Sequence, residues 1–233
     1  MTIRTTLSQF NETTSTDAFA LQNTKLLKVS LNQVTIQAKL GSMVAYQGDV
    51  TFEHAGSGGL ARMLKKAATG EGASLMKATG TGEVFLADEA QEIHLIYLED
   101  DEITVNGRHL LAFDAEVDWD IRRVQGASSM MGGGLFNTVL KGTGWVAVLS
   151  DGPPVLLDVG QAPTFADAQA AITWSSGVTT SIKTDFKLKS LIGRGSGETL
   201  QMAFGGQGWV LVQPSEGRPI LQQSSGSGNL LSG

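Results

Sequence analysis

Along much of the chain, apolar and polar residues alternate with a period of two, the pattern of strands that turn one face to a core and the other to solvent. The run Val34-Thr35-Ile36-Gln37-Ala38-Lys39-Leu40 follows it, and residues 113–121 alternate apolar with mostly acidic positions. Ile103-Thr104-Val105 leads into Asn106-Gly107, a dipeptide that accepts the positive φ of a tight hairpin turn. Leu27 to Leu31 followed by Asn32-Gln33 repeats that signal more weakly. Helical periodicity is scarce. Ser57 can cap a short helix over 57–68, with Leu60, Met63, Leu64 and Ala67 on one face, and a second short piece is expected near 188–192.

Glycine writes a repeat over this pattern. Gly80-Thr81-Gly82-Glu83-Val84, Gly142-Thr143-Gly144-Trp145-Val146 and Gly206-Gln207-Gly208-Trp209-Val210 share a frame, and their second glycines stand 62 and 64 residues apart. Each motif runs into an apolar segment, and each has a further glycine-rich piece upstream, at 70–72, 132–134 and 193–197. A fixed period is the mark of one structural unit used several times. Glycine between strands often marks a bulge or a sharp bend, so each Gly-x-Gly is read as a corner where a strand passes from one sheet to another. The fold expected is all-β: a double-stranded β-helix-like barrel with a pseudo-threefold internal repeat of one β-module and one or two short helices. Its units are placed at about 25–87, 93–149 and 155–212 in a single triplicated domain, 25–213. Residues 1–24 form an N-terminal extension, and the Ser/Gly-rich residues 214–233 a flexible tail.

Composition narrows the function classes. The chain has 233 residues, of which 29 are glycine where about 7% is usual, and 17% are charged where about a quarter is usual. With no cysteine, disulfide scaffolds and thiolate chemistry are excluded. A formal charge of −6 argues against non-specific nucleic-acid binding over the whole surface. No apolar run approaches the roughly 20 residues of a membrane span. The opening residues, Arg4 and then polar positions 8–17, lack a signal-peptide core, so a cytoplasmic globular protein is expected.

The wording of several segments is also familiar. Gly41-Ser42-Met43-Val44-Ala45-Tyr46-Gln47-Gly48, then Gly80-Thr81-Gly82-Glu83-Val84-Phe85-Leu86, Trp174-Ser175-Ser176-Gly177-Val178 and Ser190-Leu191-Ile192-Gly193-Arg194 occur in order. Over residues 25–213 the chain resembles the altered-inheritance-of-mitochondria protein 24 family. The resemblance implies a tandem triplication of the module found in the tryptophan RNA-binding attenuator protein, in agreement with the repeat read from spacing. It also implies a link to the inner mitochondrial membrane for the mitochondrial relatives. It supplies no catalytic residues.

Candidate chemistry is sparse. Asp114, Glu116, Asp118 and Asp120 would line one face of a strand, successive side chains about 7 Å apart, a spacing compatible with glycosidase-type acid–base chemistry or calcium. Any alternating acidic strand has that spacing, so a solvated or ion-paired face is the preferred reading. His54, His94 and His109 share no ligand spacing with carboxylates and are read as strand or surface histidines. Gly56-Ser57-Gly58-Gly59 precedes a helix signal but lacks the Gly-Lys-Ser/Thr ending of a phosphate loop. Trp119, Trp145, Trp174 and Trp209 fall in strand-like segments, Trp145 and Trp209 at equivalent repeat positions, which points to core packing.

Charge layout is the most informative surface feature. Ten of the 17 Lys and Arg residues fall in three corresponding excursions: Arg62, Lys65, Lys66 and Lys77; Arg122 and Arg123; Lys183, Lys187, Lys189 and Arg194. All of these except Lys77 are the candidate binding residues, expected to emerge on one basic end rimmed by Met63, Leu64, Met130, Met131, Leu188, Leu191 and Ile192. The function expected is a non-catalytic interaction or scaffold protein with no cofactor or metal, forming a homo-oligomer, docking on a protein partner or touching an anionic membrane peripherally. The alternatives are a small-ligand or RNA-binding module, with acidity weighing against RNA, and a hydrolase using residues 114–120.

Overall fold

Period-two alternation is realised as fourteen strands in a computed structural model, which describes residues 6–54, 74–123, 136–183 and 201–215. They are β1 (Phe19–Asn23), β2 (Leu26–Lys39), β3 (Met43–His54), β4 (Leu75–Leu86), β5 (Glu92–Asn106), β6 (Leu110–Asp114), β7 (Asp118–Arg123) and β8 (Phe136–Ser150), followed by β9 (Val155–Asp158), β10 (Thr164–Asp167), β11 (Ala171–Ser175), β12 (Val178–Lys183), β13 (Gln201–Gly206) and β14 (Trp209–Val212). The protein is all-β. One turn of 3₁₀ helix, Ser8–Phe10, precedes the strands. The helices expected over 57–68 and near 188–192 lie outside the described residues.

Pairing repeats three times. In the first unit β4 lies between β2 and β3; in the second β8 lies between β5 and the pair β6/β7. In the third, β14 lies between β9 and β11, while β13 lies between β10 and β12. Calling the three roles A, B and C in chain order, A is β2, β5 or β9/β10, B is β3, β6/β7 or β11/β12, and C, which carries Gly-x-Gly, is β4, β8 or β13/β14. The main sheet runs β3-β4-β2-β6-β8-β5-β11-β14-β9, which is B-C-A written three times. An A strand joins the next unit's B strand at both internal boundaries, Ile36↔Asp114 through Ala38↔Ala112 and Ile103↔Ser175 through Val105↔Thr173. This path does not close into a barrel among the described residues: β3 stands at one end and β9 at the other.

The sheet switch expected at each Gly-x-Gly occurs in one unit of the three. In the third unit the C strand changes sheets there, β13 belonging to a three-stranded sheet and β14 to the main one. In the other units β4 and β8 run through the motif without leaving the main sheet, and the facing A strand bulges opposite it, with Gln33 and Asp100 at positive φ. The second glycines have φ of +152°, +149° and +136° at Gly82, Gly144 and Gly208. A Cβ there would stand 2.0 Å from the Gln47 carbonyl oxygen, 2.8 Å from Asp114 Oδ2 and 2.1 Å from Ser175 Oγ respectively. No side chain fits.

Three local expectations change, the first being the weaker hairpin signal at Asn32-Gln33: β2 runs on through it and bulges at Gln33. Residues 113–121 do not form one strand: β6 ends at Asp114, a turn follows, and β7 begins at Asp118. The break has a cause. Asp114 turns its carboxylate to the corner, accepting the Trp145 N–H at 2.7 Å. Asn106-Gly107 is a turn, but β5 and β6 flank β8 and do not pair with each other. Asn106 instead uses its side chain, with Oδ1 accepting the Arg108 N–H and Nδ2 donating to Ala168 and Ala171 carbonyls of the third unit.

Three apolar clusters succeed one another along the path. Leu27, Val29, Ile36, Val84 and Leu111 belong to the first, Ile103, Phe113, Leu140, Val146 and Ile172 to the second, and Trp174, Met202, Phe204 and Val210 to the third. Gly82→Ala combines a disfavoured φ with a backbone clash, so it should cost about 3–5 kcal/mol. Gly41→Ala, where φ is +86° but nothing lies within 4 Å, should cost only about 1–2 kcal/mol. Urea unfolding of the two variants checks the contrast.

Candidate functional site

Of the nine candidate cationic residues, Arg62, Lys65, Lys66, Lys187, Lys189 and Arg194 lie outside the described residues. Arg123 and Lys183 are the last residues of β7 and β12, with their side chains also outside the description. Arg122 alone is placed in full: its side chain is 60% exposed, and Nη1 stands 3.4 Å from Glu102 Oε1. Lys77, on β4, is exposed opposite Glu53. Segments 55–73, 124–135 and 184–200 each leave the end of a B strand and return at the start of a C strand. They therefore join equivalent strand ends in all three units.

The acidic residues are not a ladder. Asp114 is half-buried at the corner, and burial holds its carboxyl above the usual range against the opposing bond from the Trp145 N–H. Glu116 sits in the turn, and Asp118 and Asp120 begin the next strand. In the third unit Ser175 takes the place of Asp114, its Oγ accepting the Trp209 N–H at 3.1 Å. A carboxylate replaced by a hydroxyl in the same bond is doing structural work. Trp119 and Trp174 are buried, while Trp145 and Trp209 are half-buried against neighbouring strands.

Where the units meet, turns and links enclose a polar cleft of about 230 Å³ lined by Lys39, Asp88, Arg108, His109, Asp151 and Gln169 among others. Its groups are already engaged. Lys39 pairs with Asp88, Arg108 Nη1 donates to Gln169 Oε1 at 3.1 Å, and Gln91 Nε2 to Asp151 Oδ1 at 2.8 Å. His109 is buried, with Nδ1 2.9 Å from the Leu149 carbonyl and Nε2 3.2 Å from that of Gln169. Both partners are acceptors, so a neutral ring donates to one of them and only a protonated ring to both. Burial wins and pushes His109 below its ordinary value. His94, bonded to Ser150 Oγ at 2.7 Å, is lowered by burial as well. No three His, Asp or Glu side chains converge as a metal site among the described residues.

Sequence reading missed the large apolar side chains that face solvent on the terminal strands: Val44 and Tyr46 on β3, Val155 and Leu156 on β9, and Phe165 on β10. Each belongs to an ordinary alternating strand. Only the order of strands reveals that, among the described residues, β3 and β9 stand at the two ends of the main sheet's path. Among the described residues no helix is long and apolar enough to cross a membrane.

A family model described as mitochondrial biogenesis AIM24 matches residues 19–215. The chain belongs to the AIM24 family. The match spans β1 to β14, so the three units together, and not one of them, constitute the AIM24 region. An X-ray structure of a Streptococcus pyogenes protein is similar to this AIM24 chain, with a TM-score of 0.68 and 21% identity over 84% of this chain and 92% of that one. At that identity the likeness concerns the fold. No curated protein matches.

The lowered histidines give the AIM24 chain a pH dependence of definite sign. Because the fold favours neutral His109 and His94, their contribution to stability is complete above the unfolded value of about 6.5 and is lost as pH falls toward the folded values. Urea midpoints measured at successively lower pH between 7 and 5 should fall, and His109→Gln should flatten that slope while lowering stability at pH 7. An unchanged slope would show that His109 does not carry it.

Proposed function

We propose that this AIM24 chain is a non-catalytic interaction module that self-associates or docks on a protein or membrane-associated partner, as a cytoplasmic protein peripheral to the membrane. One observation carries the reading. The polar groups best suited to chemistry, Asp114, His109, Lys39 and Asp88, are engaged in bonds of the fold, while Val44, Tyr46, Val155 and Leu156 are exposed on β3 and β9, the strands at the ends of the sheet path among the described residues. Apolar side chains collected along strand edges are where a further chain adds. The family's description, mitochondrial biogenesis, names a process and not a reaction, which also suits an interaction role. Arg62, Lys65, Lys66, Arg122, Arg123, Lys183, Lys187, Lys189 and Arg194 supply the positive charge for an anionic surface.

Light scattering after gel filtration, together with sedimentation against phosphatidylcholine vesicles with and without phosphatidylserine, tests the reading. A mass above 24.5 kDa, or pelleting that depends on phosphatidylserine, is expected. Reversing Lys65, Lys66, Lys187 and Lys189 to Glu should abolish any such pelleting. A 24.5 kDa monomer that pellets with neither vesicle and retains no protein partner would overturn it.

A further inference from the structure

We infer that two copies of this chain pair through β3, antiparallel and about a two-fold axis at Tyr46, so that the main sheet runs on from one copy into the other. Resting on the proposed interaction role, this pairing names its surface and its partner.

The first half of β3 has the register of a junction strand. In the second and third units the first half of the B strand meets an A strand of the preceding unit. Ala112, Phe113 and Asp114 stand opposite Ala38, Gln37 and Ile36, and Thr173, Trp174 and Ser175 opposite Val105, Thr104 and Ile103. Register against the C strand aligns the three units. Phe113 stands opposite Val146 and Trp174 opposite Val210, two residues past the second glycine of the motif, as Tyr46 stands opposite Val84. Ala45, Tyr46 and Gln47 are therefore the positions that pair in the other units. Among the described residues, β4 is the only strand paired with β3.

Burial differs accordingly. Leu110 to Phe113 are 0% exposed and Ala171 to Trp174 at most 3%. Residues 44–49 are exposed without a break, on both faces of the strand, with Val44 at 58% and Tyr46 at 49%. The register shift at Val44 is no obstacle, since Leu111 and Ile172 carry the same shift in strands that do pair on this edge.

The edge suits a second copy of itself. A Cβ on Gly82 or Gly80 would strike the Gln47 or the Asp49 carbonyl oxygen, so these two carbonyls face β4. By the alternation of an antiparallel strand, Tyr46 and Gly48 then turn their N–H and C=O groups to the open edge. The positions equivalent to Gly48 bond in that direction in the other units. Ala115 N–H donates to Thr35 O at 3.3 Å, and Ser176 N–H to Glu102 O at 3.1 Å. Met43 to Gly48 carry no charge, so an identical strand meets no like charge there. By contrast β9, at the other end of the path, is preceded by Pro153-Pro154 and ends on Asp158, features that discourage pairing. Pairing about Tyr46 sets it opposite Tyr46 of the second copy, with Val44 opposite that copy's Gly48, and covers side chains that are now exposed. A two-fold contact uses the same strand on both sides, so association stops at two copies.

Mass measured by light scattering over a concentration series tests this pairing, with charged variants. Wild type should approach twice 24.5 kDa as concentration rises. Tyr46→Lys and Tyr46→Glu, each placing like charges across the axis, should keep the wild-type circular dichroism and remain at 24.5 kDa. Mixed in equal amounts, the two variants should recover the doubled mass that neither shows alone. Tyr46→Cys, in a chain with no other cysteine, should oxidise to a covalent dimer and nothing larger. A wild type that stays at 24.5 kDa overturns the pairing, and leaves the proposed role to its vesicle and partner tests. Multimers beyond two, or a dimer that neither charge weakens, overturn the pairing while self-association stands. A mixture of the charged variants that stays monomeric overturns it as well.

Discussion

The architecture depends on close approach at one point in each unit, where a Gly-x-Gly corner leaves no room for a Cβ. At Gly82 the space is filled by the backbone carbonyl of Gln47, at Gly144 by the Asp114 carboxylate and at Gly208 by the Ser175 hydroxyl. Three different groups press on the same site. What is shared is therefore the geometry of the bend, which lets a C strand hold its A and B neighbours through a corner. Once bent, the two halves of a C strand serve different parts of the sheet, and in the third unit they serve different sheets outright.

Much of this is legible in the chain. The glycine spacing identifies the corners, because a residue that must reach positive φ against a neighbouring backbone can only be glycine. Alternation over 34–40 identifies a strand correctly. Alternation over 113–121 misleads, because it registers which side chains are apolar and not that Asp114 leaves its strand to bond the Trp145 N–H. Asn106-Gly107 misleads for a related reason. Local turn chemistry is real there, but partner choice is set by β8, which lies between the two strands that the turn connects.

Positive charges can be counted along a chain, but their partners cannot: Arg122, whose side chain lies among the described residues, is ion-paired with Glu102 of the neighbouring strand system. Tyr46 reads as an ordinary member of an alternating strand, and its place on an end strand of the sheet comes from strand order, a long-range property that local patterns do not encode. Tyr46 differs from Phe113 and Trp174 in having no A strand paired beside it among the described residues, not in its local sequence.

The central claim is that three equivalent units share one type of junction and that, among the described residues, no A strand covers the first unit's half of it. Hydrogen exchange of backbone amides in dilute protein, read for peptides covering 43–48, 110–115 and 171–176, tests it most directly. The account predicts strong protection in the second and third peptides and faster exchange in the first. Equal protection of all three in dilute protein would contradict it.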